Sequence, residues 1–94
     1  MEGVAKQKVP GGKMLIIKVR FGERTESVQI LGDFFIYPED SLERVERALT
    51  DLSTNESVEF IRERIEEVVK RDGIEMVGIN PEAIARTLKA AVKR

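Results

Sequence analysis

No cysteine, histidine or tryptophan occurs in this chain of 94 residues. The missing thiols exclude a disulfide framework, and the missing imidazoles exclude Ser-His and Cys-His nucleophilic pairs. Together the two absences remove the side chains that hold a zinc finger, an iron–sulfur cluster or a haem. Aromatics are scarce, five in all, and there are three prolines. No long apolar run is present, so neither a signal peptide nor a membrane span is expected, and the chain reads as cytoplasmic. Carboxylates, amines, guanidinia, hydroxyls and backbone amides remain for polar chemistry. That inventory favours a binding or accessory role over a self-contained enzyme. At this length about two-thirds of the extended chain's surface can be buried, which suffices for one small domain.

Charged residues make up 35% of the chain and the formal net charge is −1. The total hides a segregation. Residues 1–24 carry a net +4, residues 25–67 a net −8 and residues 68–94 a net +3. The basic start holds Lys6, Lys8, Lys13, Lys18, Arg20 and Arg24. Such polarity can steer an anion or an acidic partner to one end, or simply mark Glu-rich helix faces in solvent.

Residues 1–7 show no periodicity and read as a flexible tail, leaving a single domain over residues 8–94. Pro10-Gly11 suits a turn, because Pro presets its φ and Gly accepts a positive one. Lys13 to Phe21 reads as a strand with Leu15, Ile17, Val19 and Phe21 on one face. Thr25 to Leu31 makes the second arm of a hairpin, with Glu26, Val28 and Ile30 alternating against Thr25, Ser27 and Gln29. After Gly32, the run Phe34 to Tyr37 either continues that strand past a bulge or starts a third. Helices are expected from Pro38 through the stripe Leu42, Val45, Leu49 and Leu52, and from about Glu56 to Arg71 with Gly73 as the stop. A last helix begins at Asn80-Pro81, and Ile74 to Ile79 reads as a brief strand. The fold class is therefore α+β: a small antiparallel sheet packed on one face by about three helices.

Two motifs could carry function. KVPGGK sets two amines beside a turn whose glycines let the backbone approach an anion. It is not a P-loop, since Gly12-Lys13 leads into a strand and not a helix. GDFFIYP, from Gly32 to Pro38, holds three of the five aromatics. Burial of two of Phe34, Phe35 and Tyr37 is expected in so small a core, with the third free to anchor a partner. Asp33 has no visible companion as a base or ligand. Glu59, Glu63, Glu66 and Glu67, interleaved with Arg62 and Arg64, look like a solvated helix face. Neither Thr25 nor Ser27 has a candidate base beside it. Nucleic acid is not an expected partner, because the basic stripe lacks interleaved stacking aromatics.

The ordered set KVPGGK, GDFFIYPED and MVGINPEAIARTL resembles the accessory C-terminal domain of lipoate–protein ligases, which in archaea can be a separate small polypeptide. The similarity spans roughly residues 6–92. It implies an accessory subunit that forms a heterodimer with a larger catalytic subunit. That subunit would hold ATP, Mg and lipoate, so no cofactor or metal is expected on this chain alone. The resemblance further implies a need for the accessory chain in activating lipoate to lipoyl-AMP, with the lipoyl-acceptor protein engaged only indirectly. Carried over by position, Lys8, Gly11, Gly12 and Lys13 match the basic motif and Gly32, Asp33, Phe34 and Phe35 the aromatic one. These eight are the candidate residues for contact with a partner or an anion, and no catalytic residue is expected. Two competing readings need no lipoate: a protein-interaction or dimerisation module of α+β fold, and a small phosphate-ligand-binding domain.

Overall fold

A computed structural model describes residues 1–11 and 13–93. Its element order is β1 (Glu2–Val9), β2 (Lys13–Phe21), β3 (Thr25–Gly32), β4 (Phe35–Tyr37), α1 (Ser41–Ala48), α2 (Val58–Asp72), β5 (Glu75–Val77) and α3 (Pro81–Ala91). Strands β1, β2 and β3 form an antiparallel meander with β2 in the centre, and β4 pairs with β5 in a separate two-stranded ladder. The class is α+β, as the alternation and capping signals predict.

The sheet buries Leu15, Ile17, Val19 and Phe21 from β2 and Val28 and Ile30 from β3. Helix α3 packs on β1 and β2, α1 packs on β3, and α2 lies against both helices. Burial of a side chain such as Leu15 or Ile84, each 0% exposed, stabilises by roughly 1.5–3 kcal/mol over leaving it in water. The opposite face of the sheet carries the exposed Lys6, Lys8, Lys18 and Arg20, and among the described residues no helix covers it.

Helix boundaries follow local chemistry. Ser57 caps α2 through its hydroxyl, which accepts the Phe60 N–H at 3.0 Å, and Gly73 ends it with φ of +62°. Asn80 caps α3 by accepting the Ala83 N–H at 2.8 Å, with Pro81 in the first turn. At α1 the carboxylate of Asp40 makes no capping bond and instead takes Arg44 one turn on, at 2.9 Å. That helix starts three residues later than Pro38 and ends at Ala48, so Leu49 and Leu52 are buried from the loop that follows.

Three expectations need correction. The stretch read as a tail is strand β1, registered from Glu2 opposite Arg20 to Val9 opposite Lys13. Its inward positions are Gly3, Ala5 and Gln7, small or polar because α3 packs close: a Cβ on Gly3 would overlap the Ala91 carbonyl oxygen. Thr87 of α3 reaches the same strand, donating to Gln7 Oε1 at 2.7 Å. The phase of β3 also differs. A bulge shifts the register between Arg20 and Phe21, so Thr25 turns inward and Glu26 outward. The Thr25 hydroxyl then donates to Leu49 O at 2.7 Å and accepts the Leu52 N–H at 3.0 Å, stitching β3 to the end of α1. The third correction concerns the aromatics and belongs to the site.

Candidate functional site

The β1–β2 turn lies at one end of the meander, and the last residues of β3 return to that same end. Gly32 pairs opposite Leu15, and the Asp33 N–H donates to Met14 O at 3.1 Å. Gly32 has φ of +152°, and a Cβ there would overlap the Met14 carbonyl oxygen. Glycine is therefore required where the basic motif's strand meets the aromatic motif. Gly78, from the closing VGINPE segment, completes the junction: a Cβ on it would lie 3.3 Å from Asp33 O and 3.4 Å from Phe34 Cα. Three stretches far apart in sequence thus meet at one corner of the fold.

Within that corner the candidate residues take different positions. Lys8 lies opposite Met14 and faces the open side of the sheet, while Lys13 lies opposite Val9 on the helix-bearing side. The two amines therefore point to opposite faces and do not converge on one anion. Both are exposed, and neither makes an ion pair among the described residues. Gly11 is exposed with φ of +100° and open space around it. Gly12 falls outside the described residues. Asp33 is exposed and contributes its backbone to the junction.

The aromatic segment departs from expectation. Phe34 is half-buried against the core, but Phe35 and Tyr37 are 62% and 48% exposed, so two of the three face solvent. The reason is the period of β4. Ile36 and its partner Met76 on β5 supply the inward contact, which turns Phe35, Tyr37 and Val77 outward. The Phe35 and Tyr37 rings stack at 6.5 Å between centroids and 12° between planes. Val77, opposite Phe35 and 48% exposed, extends the patch. Reading each of the two short segments as a strand of alternating phase would have found Tyr37 and Val77.

The exposed apolar patch is equipped to bind another macromolecule through the contact area of its rings, and exposed amines can steer a partner. A cleft of about 630 Å³ lined in part by Arg24, Ser53, Asn55 and Lys89 lies at the other end of the sheet, away from all three motifs. Among the described residues no group of three or more His, Cys, Asp or Glu side chains is placed to hold a metal ion. Among the described residues no helix is long and apolar enough to cross a membrane.

Comparison with known proteins gives a consistent result. No family model matches the chain. It is similar to lipoate-protein ligase A subunit 2 of Thermoplasma acidophilum, with 34% identity over 68 residues, 72% of this chain and 67% of that protein. Among solved structures it is similar to a chain from a structural analysis of an archaeal lipoylation system, a bi-partite lipoate protein ligase and its E2 lipoyl domain from Thermoplasma acidophilum. There the TM-score is 0.75 and the identity 28%, with 94% of each chain covered.

Proposed function

This chain belongs to the lipoate-protein ligase A subunit 2 family, and from that premise we propose that it is the accessory subunit of a two-component lipoate–protein ligase, required with the catalytic subunit for activation of lipoate to lipoyl-AMP. The observation that carries the reading is the convergence of KVPGGK, GDFF and VGINPE at one corner, held by the Met14–Asp33 bond and by Gly78 against Asp33 and Phe34. This corner is the docking end. The ladder of Phe35, Tyr37 and Val77 supplies the apolar contact with the catalytic subunit, and Lys8 and Lys13 project from the two faces of the sheet at that end.

ATP, Mg and lipoate belong to the catalytic subunit in this reading. Adenylation brings a polyphosphate against a carboxylate nucleophile, so preorganised cations and amides near that pocket lower the barrier electrostatically. Because Lys8 and Lys13 face opposite sides, they act as two separate points: one nearer the bound subunit, the other ordering or steering from the flank. Transfer of the lipoyl group from a preformed adenylate to the acceptor lysine expels AMP and needs less of this assistance.

The test is a double assay on the reconstituted pair. Replacing Lys8 and Lys13 together by Ala should depress lipoyl-AMP formation by about tenfold or more, while transfer from supplied lipoyl-AMP falls far less. Equal loss in both assays would point to failed assembly and against a role in activation.

A further inference from the structure

The two edges of the three-stranded sheet are treated differently. Along β3 several outward backbone groups are occupied: the Ile30 N–H donates to Glu46 Oε2 of α1 at 2.7 Å. At its start, Thr25 N donates to Leu52 O at 2.8 Å and Asp51 N donates to Thr25 O at 2.7 Å. Strand β1 has no such cover. Its hydrogen-bonding parity is fixed by Met1, which both donates to and accepts from Phe21, at 2.8 and 2.9 Å. In an antiparallel pair such positions alternate, so odd residues bond β2 while Glu2, Val4, Lys6 and Lys8 turn their N–H and C=O groups to the free edge. Among the described residues nothing else reaches those groups. The same four residues are exposed, Val4 by 57%.

We propose that a second copy of this chain pairs on that edge, β1 against β1 in antiparallel register about a two-fold axis at Val4, giving a continuous six-stranded sheet. The occupant follows from charge. With Val4 opposite Val4 of the other copy, Glu2 falls opposite Lys6 twice, so an apolar centre is flanked by two symmetric ion pairs. A shift by one pair toward the N-terminus sets Glu2 against Val4 and removes the ion pairs. A shift by two pairs toward the C-terminus sets Lys6 against Lys6. The one-pair shift toward the C-terminus keeps Glu–Lys pairs but opposes Val4 with Lys6. In the favoured register Val4, Glu2 and Lys6 contribute six backbone hydrogen bonds across the axis. The contact is an edge contact and small, so self-association is weak and concentration-dependent. It uses neither Phe35 nor Tyr37 and does not depend on the ligase reading.

Sedimentation equilibrium of the full chain tests it, over about 10 µM to about 1 mM, a range that spans weak association. The mass should rise from 10.6 kDa toward twice that value. Glu2→Lys or Lys6→Glu alone should weaken the dimer by about tenfold or more, and the double swap Glu2→Lys with Lys6→Glu should restore it. Circular dichroism melts of each variant separate loss of pairing from loss of fold. If a reversal unfolds the chain, hydrogen exchange on the unaltered protein still decides: the Val4 and Lys6 amides should slow as concentration rises. A protein that stays monomeric at the top of the range overturns the proposal, as does a dimer indifferent to the charge reversals. Protection of those amides only on adding the catalytic subunit also overturns it and assigns the edge to that subunit.

Discussion

Gly32→Ala perturbs the corner without altering any charge or ring. The new methyl would overlap the Met14 carbonyl oxygen and sit 3.2 Å from Phe34 Cδ1, at a φ of +152° that side-chain-bearing residues rarely adopt. Backbone strain contributes about 1–2 kcal/mol and the forced separation of two packed backbones another ~1–3, so the loss should be about 2–5 kcal/mol. Gly11→Ala is the matched control. Its φ is also positive, +100°, but nothing lies within 4 Å, so only the conformational term of about 1 kcal/mol applies. For a domain of this size those figures translate to a drop in Tm of about 8–40 °C against about 4–8 °C. Thermal melts followed by circular dichroism read the difference, and binding to the catalytic subunit, titrated at a temperature where both variants are folded, reads its consequence. Gly32→Ala should weaken docking well beyond Gly11→Ala. Equal Tm losses would refute the claim that close approach at Gly32 builds the corner.

Thr25→Val leaves the Leu49 carbonyl and the Leu52 N–H buried without their side-chain partner and should cost about 2–4 kcal/mol, whereas Thr25→Ser keeps both bonds and should cost about 1, as urea unfolding will show. Burial raises the Glu46 carboxyl above its ordinary range, with the Ile30 N–H opposing and Glu43 adding to it. Its contribution is therefore present in acid and lost as pH rises through the raised value, so Glu46→Gln, which keeps an acceptor for Ile30, should gain stability relative to the parent between about pH 3 and pH 7. Asp72 has the opposite sign: its hydrogen bond to Arg71, helped by Arg44, depresses its carboxyl. Asp72→Asn should therefore lose stability at neutral pH and match the parent once pH falls through the depressed value.

Local signals were legible where their cause is local. Gly73 ends α2, and Asn80-Pro81 opens α3, because capping and φ restriction act within a few residues. The basic and aromatic motifs could be marked as candidates, but their meeting could not, since it rests on the β2–β3 register that brings Met14 to Asp33. Strand β1 carried no apolar contrast to read. Its inward side is Gly3, Ala5 and Gln7, chosen for the approach of α3 from the far end of the chain. The inward turn of Thr25 depends on a one-residue bulge, which leaves no mark in the alternation itself. Phe35 and Tyr37 look like core by type and are surface by phase, because Ile36 and Met76 already fill the ladder's inner side.

The most direct test of the accessory role is lipoate-dependent exchange of labelled pyrophosphate into ATP, which reports adenylate formation, measured on the catalytic subunit with and without this chain. Exchange is expected only when both are present, saturating at one chain per catalytic subunit. Full exchange by the catalytic subunit alone, unchanged on adding the chain, would contradict it.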